Sequence, residues 1–197
     1  MSSGLSFAEL EAAAGAVIVI LKTIPEFSKL PNRLWRYIRN YRTTEDVDFL
    51  ITVQSAPKAV KDKLLALPSS PFQQTAQLFY YKGSNGKLIQ IDITPDWQSP
   101  YVPSGAIPIS TVRSNALPYI SELDLLIFKI NSCGLRPTPG KKLRDATDAS
   151  ELLEDLSTKG PIVLSVSQKN VILQCLDDVA RMSGRDKAWW IAKLALN

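Results

Sequence analysis

Histidine is absent from this 197-residue chain. That absence removes Ser-His-Asp and Cys-His nucleophilic catalysis and most zinc chemistry, which need an imidazole as base or ligand. Acid–base or metal work must then fall to carboxylates, Lys, Arg, Tyr, Ser or Cys. Cysteine is nearly absent too: Cys133 and Cys175 are the only two, and neither has metal-ligand spacing. They fit reduced thiols in an intracellular, cytoplasmic protein rather than a disulfide framework. Glycine is missing over a long stretch, with none between Gly15 and Gly83. No apolar run approaches the ~20 residues of a bilayer-spanning helix. The longest, around Ala12 to Leu21, reads as part of a buried helix. The start, Met1 to Glu11, carries Glu9 and Glu11 and no basic region, unlike a secretory leader. No membrane partner is expected.

What is present suits a globular protein. Hydrophobic residues make up 45% of the chain, enough for one domain with a sizeable core, or one domain with a helical appendage. The net charge of +4 gathers its positive side chains in two places, Arg33, Arg36, Arg39 and Arg42, then Arg136, Lys141, Lys142 and Arg144. Such a balance tolerates phosphate-bearing ligands without requiring nucleic acid.

Periodicity sets out the elements. Leu10, Ala13, Ala14, Val17 and Leu21 predict a helix over about Ser6 to Lys22. Arg33 to Tyr41 reads as a second helix after Pro31-Asn32; Arg33, Arg36, Arg39 and, one residue past its end, Arg42 step at three-residue intervals and so spread over about half its circumference. Val47 to Val53 reads as a strand and Ala56 to Leu65 as a helix. Leu78 to Lys82 and Lys87 to Thr94 form two strands around Gly83-Ser84-Asn85-Gly86, a hairpin signal. In the second of these, Ile89, Ile91 and Ile93 share one face and Leu88, Gln90 and Asp92 the other. Pro95 to Pro118, with five prolines and no period, reads as a long surface connection. From the capped start Ser121-Glu122-Leu123-Asp124 onward the chain turns helical, with further helices over Asp145 to Leu156, Ser167 to Met182 and Asp186 to Leu196. The expected fold class is α/β: a small mixed β-sheet flanked by helices in residues 1–120, and a helical part in residues 121–197 expected to pack on that core.

The candidate chemistry lies at Arg42-Thr43-Thr44-Glu45-Asp46-Val47-Asp48-Phe49-Leu50-Ile51. Alternation along a strand points Asp46 and Asp48 one way and Val47 and Phe49 the other. Carboxylates held a few ångströms apart repel each other unless a cation lies between them. Mg²⁺ resolves that with hard oxygen ligands from one or two carboxylates plus substrate phosphates. The plainer alternative is a strand start with Asp48 on a solvated face. If the Lys87 to Thr94 strand lies beside this one, Asp92 joins the same face. Two carboxylates can then hold metal against phosphates while a third binds a second ion or takes a proton from an attacking hydroxyl.

Four blocks in order resemble the nucleotidyltransferase fold: Thr44-Glu45-Asp46-Val47-Asp48-Phe49, Leu88-Ile89-Gln90-Ile91-Asp92, Asp124-Leu125-Leu126-Ile127-Phe128-Lys129-Ile130, and Arg144-Asp145-Ala146-Thr147-Asp148. The likeness runs over roughly Leu5 to Leu156 and is nearest the minimal type that includes abortive-infection type II toxins and many uncharacterised fungal proteins. It implies Mg²⁺-dependent transfer of a nucleotidyl group from a nucleoside triphosphate, with one or two ions on Asp46, Asp48 and Asp92 as metal ligands and catalytic residues. Lys129 matches a lysine near the triphosphate, and Asp145 a late acidic residue of the toxin-like members. Arg42, Thr44 and Arg136 complete the expected substrate-binding set, a solvated or helix-capping role for Arg136 being the alternative. That family carries a Gly-Gly or Gly-Ser corner before the acidic pair, opening a helix whose amides receive the triphosphate. The corresponding Phe27 to Ile38 has no glycine, as if a first strand and its glycine turn had been cut away. The residues therefore leave three readings: a transferase that grips phosphate by other means, a catalytically silent binding or interaction module, or a biosynthetic enzyme reusing the acidic pocket.

Overall fold

The computed structural model describes residues 5–28, 33–37, 46–52, 57–76, 78–113 and 117–196. The chain divides into two compact units, Met1–Ile120 and Ser121–Asn197.

The first unit opens with helix α1 (Phe7–Thr23), started by a reciprocal cap. Ser6 Oγ accepts from the Glu9 amide at 3.3 Å, and the Glu9 carboxylate accepts from the Ser6 amide at 2.8 Å. Two otherwise orphaned helix-end donors are satisfied in this way. Leu10, Ala13, Ala14, Val17, Ile18 and Leu21 form its buried stripe, as helical spacing requires. The short α2 (Pro25–Ser28) follows, then strands β1 (Arg33–Tyr37) and β2 (Asp46–Ile51), helix α3 (Pro57–Leu65), strands β3 (Phe72–Thr75), β4 (Leu78–Lys82) and β5 (Leu88–Pro95), and the two-residue β6 (Ile107–Pro108). They make one six-stranded sheet in the order β3-β4-β5-β2-β1-β6. The central β2–β5 pair is parallel and every other pair is antiparallel. The sheet is thus mixed, with its parallel pair in the middle.

One face of that sheet makes the core. Val47, Phe49 and Ile51 of β2 and Ile89, Ile91 and Ile93 of β5 are buried together with the α1 stripe, Val60 and Leu64 of α3, and Phe72 and Phe79. Phe72 and Phe79 stack with ring centroids 5.2 Å apart. Because side chains alternate in a strand, burying the odd-numbered residues of β2 and β5 turns Asp46, Asp48, Gln90 and Asp92 to the opposite face. The β4–β5 hairpin closes through Gly83 to Gly86, with Gly86 at φ +79°, a conformation glycine adopts without a Cβ clash.

Several sequence expectations change. Arg33–Tyr37 is a strand, not the start of a helix, and pairs along β2 from Leu34 opposite Ile51 to Tyr37 opposite Asp48. Arg33 and Arg36 therefore stand on a strand, while Arg39 and Arg42 lie outside the described residues, and a strand does precede β2 where the sequence suggested one had been lost. The three-residue arginine spacing mimics a helix period, but pairing with β2 decides the conformation. Pro95 to Pro118 is not a bare surface connection: it supplies β6 at the sheet edge, two single-turn 3₁₀ helices, and Ile109 and Val112 to the core. The Lys22 ammonium donates to the Val112 carbonyl and ties this segment to α1. Strand β3 has no counterpart among the expected elements. Strand β2 closes at Ile51, and Val53, where the sequence placed its end, lies outside the described residues.

The second unit is helical: α4 (Glu122–Leu135), α5 (Pro139–Lys159), α6 (Val166–Ser183) and α7 (Lys187–Leu194). Helix α4 packs against both α5 and α6. Ser121 caps α4 by accepting from the Asp124 amide at 3.0 Å, and Asp124 is held in turn by Gln168 Nε2 of α6 at 3.0 Å. At the α4–α6 crossing a Cβ on Gly134 would stand 2.6 Å from Cys175 Sγ, so glycine is what allows the two helices to approach. Among the described residues no helix is long and apolar enough to cross a membrane.

Candidate functional site

The acidic face of the sheet is set by register. Across the parallel β2–β5 ladder Asp46 lies opposite Gln90 and Asp48 opposite Asp92. Neighbouring strands run about 4.8 Å apart, so four side chains, three of them carboxylates, occupy the corners of a small rectangle. All four are partly exposed, while Val47, Phe49, Ile89, Ile91 and Ile93 beneath them are buried. The apolar side of the same two strands thus fixes the backbone that presents the acids. Gln90 Nε2 donates to Asp92 Oδ2 at 3.0 Å. In the next strand Tyr80 pairs with Gln90 and continues the row outward. Alternation alone puts Gln90 on the Asp92 face; the contact that gives it a role appears only in three dimensions.

The other expected site residues gather in the helical unit. Lys129 of α4 reaches two carboxylates of α5, Asp145 Oδ1 at 3.0 Å and Asp148 Oδ2 at 2.8 Å. Arg136, which caps the end of α4, places Nε 2.9 Å from Asp145 Oδ2. The Asp145 side chain is only 4% exposed and that of Lys129 only 11%, so this is a largely desolvated ion network. Two cations and two carboxylates balance, which is the condition for burying such charges. Arg136 and Asp148 thus both belong to an ion network within the helical unit. Arg42 and Thr44 lie outside the described residues.

Neither thiol is poised as a nucleophile. Cys133 and Cys175 are buried. Burial first, and then the nearby Asp178 charge, pushes the Cys133 thiol up to about 11. The same two causes raise Cys175.

Carboxylate oxygens are the right donors for a hard divalent cation such as Mg²⁺. Among the described residues, however, no group of three or more carboxylates or cysteines is gathered closely enough to hold a metal by itself. Mg²⁺ sites commonly use one or two carboxylates and complete their shell with water and substrate phosphates. The donor set of Asp46, Asp48 and Asp92 fits such a site, completed by its substrate, and does not form a preassembled cage.

The central parallel pair and the helices packed on the core side of the sheet make this a mixed α/β fold. No protein-family profile and no curated protein sequence matches the chain. Among solved structures it is similar to an antigenic nucleotidyltransferase-like protein from Paracoccidioides brasiliensis, with a TM-score of 0.62 over 99% of this chain and 96% of that one. The two are 17% identical, so the likeness is one of fold.

Proposed function

We propose that this protein transfers a nucleotidyl group from a nucleoside triphosphate to a hydroxyl acceptor, with Mg²⁺ held on the β2–β5 face. The observation that carries the reading is the register: Asp48 stands opposite Asp92, with Asp46 two residues along the same face, in a nucleotidyltransferase-like fold. Asp46 and Asp48 would bind the ion, which when present neutralises charge on the phosphates. Asp92 would take the proton of the attacking hydroxyl as its oxygen bonds to the α-phosphorus. The bond from that phosphorus to the bridging oxygen breaks, and pyrophosphate leaves. Substrate-held geometry supplies much of the acceleration in such transfers.

A second reading, a catalytically silent descendant that binds a ligand or partner, draws on two observations. No glycine stands between Gly15 and Gly83 to open a phosphate-receiving helix. Lys129, the expected triphosphate lysine, is engaged by Asp145 and Asp148. Thermal melting with each of the four ribonucleoside triphosphates and Mg²⁺ separates the two. Transfer predicts that at least one triphosphate raises the midpoint in wild type and that Asp48→Asn loses the rise. No shift with any of the four would defeat the transferase reading.

A further inference from the structure

Beyond Asp92 the outer face of the sheet changes character. Phe79 of β4 is buried, so alternation turns Leu78, Tyr80 and Lys82 to the face that carries the acids. Tyr80 stands opposite Gln90 and Lys82 opposite Leu88, and the same register brings Leu78 level with Asp92. Leu78 is 42% exposed and Leu88 44%, and the half-buried Tyr80 is flanked by both. Neighbouring rings are used on the core side, where Phe72 stacks on Phe79 and meets Tyr81 edge-on. Tyr80 has no such partner, for its ring or for its hydroxyl, among the described residues.

Charge narrows what this flank can take. No Asp or Glu occurs between Asp62 and Asp92, so a polycationic ligand would meet no counter-charge there. Of the lysines in that stretch, Lys63 pairs with Glu26 and Lys87 with Glu9. Lys82 has no ion pair among the described residues. One free cation suits one negative charge, whereas a nucleic-acid strand is held by neutralising several phosphates. An unstacked ring between exposed leucines offers its area to a flat apolar group. We propose that the β4 flank seats the acceptor, a small aromatic compound bearing a hydroxyl arm and one carboxylate, with its ring stacked on Tyr80 and its carboxylate at Lys82; the inference rests on the transferase reading above.

The spacing suits such a molecule. Tyr80 and Asp92 are diagonal neighbours across the β4–β5 ladder, about 7–8 Å apart and within reach of an aromatic ring. Lys82 lies on the other side of Tyr80, so the levels of Asp92 and Lys82 are about 13 Å apart along the strand. The hydroxyl arm can then meet Asp92 while the carboxylate stays away from the three acids. In the transfer, the hydroxyl oxygen bonds to the α-phosphorus and its proton passes to Asp92. The bond from phosphorus to the bridging oxygen breaks, pyrophosphate leaves, and a phosphodiester of the aromatic alcohol remains.

Saturation-transfer difference NMR tests this with three probes: p-(hydroxymethyl)benzoate, its cationic counterpart p-(hydroxymethyl)benzylamine, and a short oligouridylate. Wild type should bind the benzoate in preference to the amine. With melting midpoints near wild type, Tyr80→Phe should bind the benzoate as wild type does and Tyr80→Ala about 10-fold more weakly. Lys82→Glu should reverse the preference toward the amine. No benzoate signal in wild type, or equal affinity in Tyr80→Ala, would overturn the inference and leave the transferase reading standing. If Tyr80→Ala does not fold, an unchanged preference in Lys82→Glu overturns it alone. Oligouridylate that displaces the benzoate, and is lost in Lys82→Glu, would put a nucleic-acid strand in place of the small acceptor. Benzoate held by Tyr80 in a protein that no triphosphate stabilises would defeat the transferase reading, and the acceptor role with it.

Discussion

Removing the Asp145 carboxylate should cost far more than a surface charge change. Asp145 is buried and accepts from Lys129 at 3.0 Å and from Arg136 at 2.9 Å. In Asp145→Ala both charge-assisted bonds vanish and a small void replaces the carboxyl. Breaking a buried ion pair from one side typically destabilises by about 3–5 kcal/mol, because the abandoned charge stays desolvated. Two features place this case at the lower end. Lys129 keeps Asp148 at 2.8 Å, and Arg136, 46% exposed, can turn to water. The expected loss is therefore about 3 kcal/mol. If residues 121–197 melt alone, that corresponds to a fall of about 12 °C or more; if the whole chain melts together, about 6–12 °C. Urea unfolding followed by circular dichroism at 222 nm measures it directly. Lys129→Met with Asp145→Leu should recover much of the loss, since an apolar pair of similar volume replaces a buried ionic one at little cost. A single-mutant loss under about 0.5 kcal/mol, the size of an ordinary surface substitution, would refute the structural role given to this network.

Glu9 gives a pH signature. The Lys87 ammonium first, then the Ser6 amide, hold its carboxyl down from 4.5 to about 2. A carboxylate with a depressed folded value stabilises above its unfolded value and loses that contribution as pH falls through the folded one. The difference in melting midpoint between wild type and Glu9→Gln should therefore be full at neutral pH, shrink below about 4.5, and vanish near 2; a constant difference across that range would contradict the assignment. Gly134→Ala should destabilise by about 1–3 kcal/mol through overpacking, because the new Cβ meets Cys175 Sγ at 2.6 Å. Adding Cys175→Ala should recover part of that loss in the same melting assay, and no recovery would move the clash elsewhere.

The sequence showed some elements plainly and hid others for physical reasons. Strand β2 and the β4–β5 hairpin announce themselves through period-two alternation and the Gly83 to Gly86 turn, and the cap at Ser121 marks the start of α4. Strand β1 was hidden because Arg33, Arg36, Arg39 and Arg42 repeat at a helix-like interval, while the strand exists through its pairing with β2. Strand β3, Phe72-Gln73-Gln74-Thr75, buries only its phenylalanine and has no readable period. Ile109 and Val112 join the core from a proline-rich segment that lacks any repeat. At the candidate site, alternation placed Asp46 with Asp48 and Gln90 with Asp92. That the two pairs are neighbours depends on β5 inserting between β4 and β2, which is a matter of topology. The partners of Asp145 likewise follow from α4 packing on α5, not from the local sequence of either helix.

At the centre of the proposed function is a divalent cation held by Asp46 and Asp48 together with substrate phosphates. Crystals grown with Mn²⁺ and an α,β-methylene triphosphate, measured at the manganese absorption edge, locate that ion directly. The proposed function predicts an anomalous peak on the β2–β5 face, about 2.1 Å from an oxygen of Asp46 and of Asp48, with the triphosphate on its far side. Bound triphosphate with no peak there, or with manganese held only by other residues, would contradict it.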